Sequence, residues 1–335
     1  MGRITIREIA KMAGVSPAAV SFVINDRPGV GEETRRRVRA VIEKTGFTPN
    51  MNSRRLVYKR SFNIALVMHN ERTPFEDLFY FSITRGILRK SKEYGYNIVF
   101  TEMDVVNNEV HMPQMVRQHD TDGIIFLQGS DAAVLRATER LDIPYVVVDA
   151  HERDVPYTGI YVDYELSAYT STSYLIENGH RQIAFISKGS IPHFYVQTFK
   201  GFCRALDNHG ISIPPDWIQI TANDEASAYA CMQSIMNGKK LPTAVFCSVD
   251  SFAIGAMRCV RDMGYAVPDD ISFTGIDNIF LSEYFIPGLT TINIDKENLG
   301  ELALDLIVKK IDGEDVESAW VASDELIIRD SVKKL

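Results

Sequence analysis

Apolar positions recur at helical spacing through residues 4–56 and in short unbroken runs after Ser61. Ile6, Ile9, Ala10 and Ala13 form one helical face, and Val20, Val23 and Ile24 form a second. Thr5 followed three residues later by Glu8 predicts a capping box at the start of the first helix. Gly14 suits its end, because a residue without a Cβ turns there at no steric cost. Ser16 suits the cap of the next helix, and Pro17 its first turn, where a missing N–H costs nothing. A third helix is expected from about Glu32 to Thr45, stopped by Gly46. Helix, glycine turn, helix, loop, helix is the order of a helix-turn-helix, whose second helix can enter a major groove.

The body alternates strand and helix. NIALVMH, NIVFTEM, DGIIFLQG and PYVVVDA read as strands, with helices in ITRGILRKSKEYGY, around 112–119 and in VLRATERLDI. The pattern restarts with a helix over 164–178, the strand RQIAFIS, a helix over 198–209, a strand over 217–221 and a helix over 226–237. TAVFCS, SFAIGAMRCVRDMGY and DISFTGID complete it. Short apolar strands alternating with amphipathic helices predict parallel sheets covered on both faces. Two such lobes imply a cleft, with ligand-facing residues at the carboxyl ends of strands.

Charge separates the two regions. Residues 1–60 hold 13 Lys/Arg against 5 Asp/Glu, a net of +8, so with −8 for the whole chain the remainder carries −16. A basic head on an acidic body confines phosphate attraction to one end. The 335 residues, 45% hydrophobic and 24% charged, suit a soluble globular protein with room for the head and two more domains. No apolar segment precedes a small-residue cleavage site and no run approaches a membrane span, so a cytoplasmic protein is expected. Cys203, Cys231, Cys247 and Cys259 form no Cys-x-x-Cys pair and read as free thiols. No Gly-x-Gly-x-x-Gly or Walker loop occurs, and no cofactor is expected. The seven histidines are scattered, with no metal-ligand spacing at His111 and His119 and no convergent acid, base and nucleophile. Neither an enzyme nor a metal site is therefore expected.

With these motifs in order, the chain resembles the LacI/GalR family of bacterial regulators over essentially its whole length. IREIAKMAGVSPAAVSFVIN is similar to that family's DNA-reading helices and TPNMNSRRL to its hinge. NGHRQIAF, PTAVF, MGYAVPDDISFTGIDN and PGLTTIN are similar to markers of its effector-binding body. The resemblance implies a sequence-specific transcription regulator, with repressor the default over activator. It implies a homodimer on a palindromic operator and a small-molecule effector between the lobes. The alternative is a catabolite-control-type regulator that answers to a protein corepressor. The implied fold is α/β: a three-helix helix-turn-helix domain, then a two-lobed, type I periplasmic-binding-protein-like domain with parallel sheets.

The resemblance also assigns roles. Pro17, Ala18 and Phe22 match base-reading positions, where the family often carries polar side chains. None of the three can make the paired hydrogen bonds that read guanine or adenine, although Ala18 and Phe22 can touch a thymine methyl. Sequence reading is then expected to lean on the hinge and on DNA shape. Ser16, Ser21, Asn25 and Thr34 match phosphate-positioning residues, and Thr5 and Asn50 join the DNA-contacting set. In the hinge, Leu56 matches a leucine that wedges into a minor-groove step, flanked by Ser53, Arg54 and Arg55.

For the effector, Asp149 and Asp277 match acids at strand ends, and Asp250 lies nearby. Asp77, Phe79 and Tyr80 match a segment that lines the pocket. Three family contacts are replaced: Thr198 stands for an arginine, Val249 for an asparagine and Ala226 for a stacking aromatic. Losing a guanidinium fork, an amide and a ring weakens the grip on a simple sugar, so the effector is expected not to be an ordinary free hexose. The expected division is a head over 1–48, a hinge over 49–60 and a body over 61–335. Its first lobe spans about 61–162 and 291–321, its second about 163–290 and 322–335. No leucine-heptad tail follows LIIRDSVKKL, which favours a dimer over a tetramer.

Overall fold

The computed structural model describes residues 4–24, 27–47, 55, 58–68, 75–106, 109–128, 132–151, 157–189, 191–221 and 224–335. The chain divides into two compact units, Met1–Phe62 and Asn63–Leu335.

The smaller unit has three helices, α1 (Ile6–Ala13), α2 (Pro17–Ile24) and α3 (Glu32–Thr45). Thr5 and Glu8 close the capping box reciprocally: the Glu8 carboxylate accepts the Thr5 N–H at 2.7 Å, and Thr5 Oγ1 accepts the Glu8 N–H at 3.4 Å. Gly14 stops α1 at φ 65°, and Ser16 Oγ caps α2 by accepting the Ala19 N–H at 3.1 Å. Ile9, Ala10, Ala13, Val20, Val23 and Val38 fill the core. Arg35 is set apart from the other arginines of its run. Its side chain is half-buried and donates to the carbonyls of Arg27 and, at 3.3 Å, Val30, so it fastens the loop before α3. Arg36, Arg37 and Arg39 remain exposed.

The larger unit contains β1 (Asn63–Met68), α4 (Leu78–Tyr94), β2 (Asn97–Thr101), β3 (Asp104–Val106), β4 (Glu109–His111), α5 (Gln114–Arg117), β5 (Gly123–Leu127), α6 (Ala132–Glu139), β6 (Tyr145–Val148) and β7 (Gly159–Val162). Then follow α7 (Tyr164–Glu177), β8 (Ile183–Lys188), α8 (Pro192–Asp207), β9 (Ile218–Thr221), α9 (Glu225–Met236), β10 (Ala244–Cys247), α10 (Asp250–Asp262) and β11 (Ser272–Asp277). The unit ends with α11 (Leu281–Tyr284), β12 (Thr290–Asn293), α12 (Lys296–Ile311), β13 (Ala319–Val321) and β14 (Leu326–Ile327).

Two six-stranded sheets result, ordered β13-β7-β6-β5-β1-β2 and β14-β12-β11-β10-β8-β9. Their ladders are parallel except for β12 with β14. β1, β5, β6, β10 and β11 are buried along their whole length, which is why their sequences run apolar rather than alternating. Strand order reverses beside β1 in one sheet and beside β8 in the other, and a crevice opens at such points outside the carboxyl ends.

The chain leaves the first sheet after Val162, returns after Asn293 and leaves again between Val321 and Leu326. The second crossing follows Asn293, at the end of the Thr290–Asn293 stretch. Thr290–Asn293 pairs with β11 in the second sheet, and only α12 rejoins the first lobe by packing on α4. α8 begins at Pro192, ahead of the expected start at 198, with proline in the first turn.

α4 and α12 approach closely enough to need glycine on both sides. A Cβ on Gly86 would overlap the Glu297 carbonyl oxygen, and one on Gly300 would overlap that of Ile83. Gly300→Ala should therefore destabilise the larger unit by about 1–3 kcal/mol, the usual cost of overpacking. A fall in the urea midpoint would report this loss; an unchanged midpoint would mean the helices separate freely.

Candidate functional site

On the head, Thr5, Ser16, Pro17, Ala18 and Phe22 are exposed, while Ser21, Thr34 and Arg55 are half-buried. The Phe22 ring rests near Gly29, where a Cβ would sit 3.5 Å from it, so α2 and the loop after it share that ring. Asn25, Asn50, Ser53, Arg54 and Leu56 lie outside the described residues.

In the larger unit a cleft of about 310 Å³ opens between the lobes. Asp77, Phe79, Tyr80, Asp149, Val249 and Asp277 line it, whereas Asp250, Thr198 and Ala226 do not. Each of the three has a local reason. Thr198 falls inside α8, where its fully buried hydroxyl donates back to the Phe194 carbonyl at 3.0 Å. Ala226 is exposed in the first turn of α9, and its neighbour Glu225 reaches the cleft instead. Asp250 is wholly buried and its oxygens are occupied. It accepts from Ile279 N at 3.0 Å, Ser282 Oγ at 2.6 Å and Thr291 Oγ1 at 2.5 Å. It thus joins α10 to the turn after β11 and to β12.

The lining acids occupy equivalent places. Asp149 follows β6 and Asp277 ends β11, each fourth from the β2 or β9 edge of its sheet, and both have positive φ (56° and 118°). A side-chain-bearing residue there is strained, and such backbone concentrates at functional sites. Asp149 is held by two tyrosines: Tyr80 donates to Oδ2 at 2.7 Å and Tyr164 to Oδ1 at 2.6 Å. His151 Nε2 lies 3.6 Å from Oδ2. Burial and the Asp149 charge push both tyrosine hydroxyls well above their usual range, so both remain protonated donors. Asp77 uses its carboxylate as the N-cap of α4, accepting from Phe79 N at 2.9 Å.

Asp277 is 6% exposed. Burial, then the charge of Asp250, raise it well above the usual carboxylate range, with Lys296 opposing. Lys296 is itself buried at the head of α12. Its ammonium donates to the carbonyls of Asp277, Asn278 (3.2 Å) and Ile294 (2.9 Å). Burial lowers its proton affinity, and Asp277 and Asp250 partly restore it.

His151, Tyr164, Lys188, Phe194 and Glu225 complete much of the wall without having been singled out in the sequence. His151 stands two residues past Asp149, and Tyr164 opens the helix after the first crossing, so strand-end spacing could have pointed to both. Among the described residues no group of His, Cys, Asp and Glu could hold a metal, and no helix is long and apolar enough to cross a membrane.

Residues 5–50 match the family of bacterial regulatory proteins described as lacI, and residues 172–332 match the periplasmic binding protein-like domain. The chain is 34% identical over 338 residues to the HTH-type transcriptional repressor PurR of Histophilus somni (strain 129Pt), covering 99% of each chain. It is 30% identical over 322 residues to catabolite control protein A of Priestia megaterium, covering 95% of this chain and 96% of the relative. A crystal structure of the lac repressor dimer bound to operator and the anti-inducer ONPF superposes with a TM-score of 0.79. It shares 23% identity and covers 99% of this chain and 100% of its own.

Burial, the largest influence on Asp250, raises it to about 6 from 3.8, against the pull of its three hydrogen bonds. A carboxyl raised on folding lends stability that is complete below its unfolded value and lost as pH climbs through its folded one. Between about pH 4 and about pH 7 the parent should lose roughly 1–3 kcal/mol relative to Asp250→Asn. Paired urea titrations measure this gap, and a gap constant with pH would refute the assignment.

Proposed function

This chain belongs to the lacI family of bacterial regulatory proteins and is a DNA-binding transcriptional regulator, and on that footing we propose that it is a repressor controlled by a small molecule. It binds a palindromic operator as a homodimer, with α2 in the major groove, and the effector occupies the cleft between the lobes. The observation that carries this reading is the joining, in one chain, of an exposed helix-turn-helix surface to a two-lobed unit with a formed cleft.

Several features support its parts. Phe280, Tyr284 and Ile286 are 62%, 70% and 85% exposed, an apolar stretch of the second lobe suited to a two-fold contact. Pro17, Ala18 and Phe22 on α2 offer van der Waals contact rather than paired hydrogen bonds, so base reading is restricted to thymine methyls. The remaining specificity falls to DNA shape and to a Leu56 wedge. A cleft of about 310 Å³ walled from both lobes favours a small effector over a protein corepressor. Asp149, already holding two tyrosine hydroxyls, is poorly placed to grip a sugar diol, which supports an effector other than a free hexose.

Selection of the purified chain against random duplexes tests the reading. A recovered palindrome with a deformable central step is the expected result, whereas purely sequence-blind, salt-sensitive binding would count against it. Leu56→Ala should weaken binding to the recovered site by on the order of tenfold or more while leaving nonspecific binding nearly unchanged. Equal loss of both, in titrations on specific and scrambled duplexes, would remove the wedge from the account.

A further inference from the structure

Asp277 has no hydrogen-bonding side-chain partner among the described residues, although it is 6% exposed and faces the cleft. The other strand-end acid contrasts with it, since Asp149 holds two tyrosine hydroxyls. A buried carboxylate without a partner is costly unless something supplies a proton or a positive charge. Lys296, the nearby ammonium, is spent on three backbone carbonyls rather than on the carboxylate.

The rest of the wall points the same way. Glu76, Asp77 and Glu225 also line the cleft, so five carboxylates face one lysine, Lys188, and the imidazole of His151. An acidic wall of this kind attracts a cation more than it attracts a neutral polyol. Aromatic rings supply the remaining surface: Tyr164 and Phe194 pack edge to face at 4.7 Å, and Phe79 and Tyr80 at 5.2 Å. Rings beside carboxylates favour a cation, through the quadrupole of the ring as well as through charge.

We propose that the effector is an organic amine, with its ammonium held by Asp277 and an aromatic or apolar body lying among Phe79, Tyr80, Tyr164 and Phe194. The proposal rests on the small-effector reading of the cleft and names the chemical class that this cleft accepts. A neutral polyol could hydrogen-bond Asp277, but it brings no positive charge to a carboxyl that burial and the neighbouring Asp250, Asp77 and Asp149 hold toward its protonated form. An ammonium donates and compensates at once.

The test uses the full-length parent and two near-isosteric probes, phenethylamine and 2-phenylethanol, with glucose and cellobiose as neutral saccharides. Calorimetric titration at neutral pH should show the amine binding at least about tenfold more tightly than the alcohol, and more tightly than either saccharide. Asp277→Asn should erase that preference by weakening the amine and sparing the alcohol. The parent comparison stands even if this variant fails to fold. Equal affinity for amine and alcohol, or tighter binding of a saccharide, overturns the amine assignment and leaves the small-effector reading intact. A preference that persists in a folded Asp277→Asn protein overturns the role of Asp277. Binding of none of the four probes at millimolar concentration overturns the amine inference; if a broad metabolite mixture also fails to alter operator binding, the small-effector reading falls with it.

Discussion

The ammonium of Lys296 is the contact on which the arrangement of the two lobes turns. It sits at the head of α12, which packs in the first lobe, yet two of its acceptors are the Asp277 and Asn278 carbonyls of the second. Both residues have positive φ, where β11 ends and the turn after it begins. Buried carbonyls left without donors would cost more than an ordinary hydrogen bond returns. One lysine meets that need at the chain crossing, and Asp277 and Asp250 restore part of the proton affinity that burial takes from it. Removing either sign alone would leave the other buried and unmatched.

That balance also explains why the acids of the second lobe behave differently from one another. Asp250 has three donors from elements far apart in sequence and serves to hold the turn after β11 in place. A Cβ at Gly275 would overlap its Oδ1, so the strand carries glycine where the carboxylate lies across it. Asp277 has its backbone secured and its side chain left to the cleft. Rigid support beneath a free functional group is the arrangement expected where a ligand must be met without prior rearrangement.

Much of this was legible in the sequence. Helical spacing and caps gave the head, because Thr5–Glu8, Gly14, Ser16 and Gly46 act within a few residues of where they stand. Unbroken apolar runs gave the strands, since burial on both faces removes alternation. The family resemblance marked Asp149 and Asp277, at strand ends, as facing a cleft, and both line it. Partnerships over long separations were not legible: Tyr80 meets Asp149 across 69 residues, and Thr291 meets Asp250 across 41. Thr290–Asn293 lies in the PGLTTIN marker, but nothing local says that it forms a strand or which sheet that strand joins. Thr198 entered through the family match as the replacement for an arginine, and inside the helix that starts at Pro192 its hydroxyl is turned to the interior.

Arg35 has a consequence for the electrostatics of DNA association. Its guanidinium is committed to the carbonyls of Arg27 and Val30, so it cannot approach a phosphate without releasing the loop before α3. Each phosphate neutralised by a protein cation displaces condensed counterions, and the steepness of the salt dependence counts those events. The formal charge of the head therefore overstates its ionic footprint by at least this one cation. The number of counterions set free on binding then falls short of what the charge inventory of the head suggests.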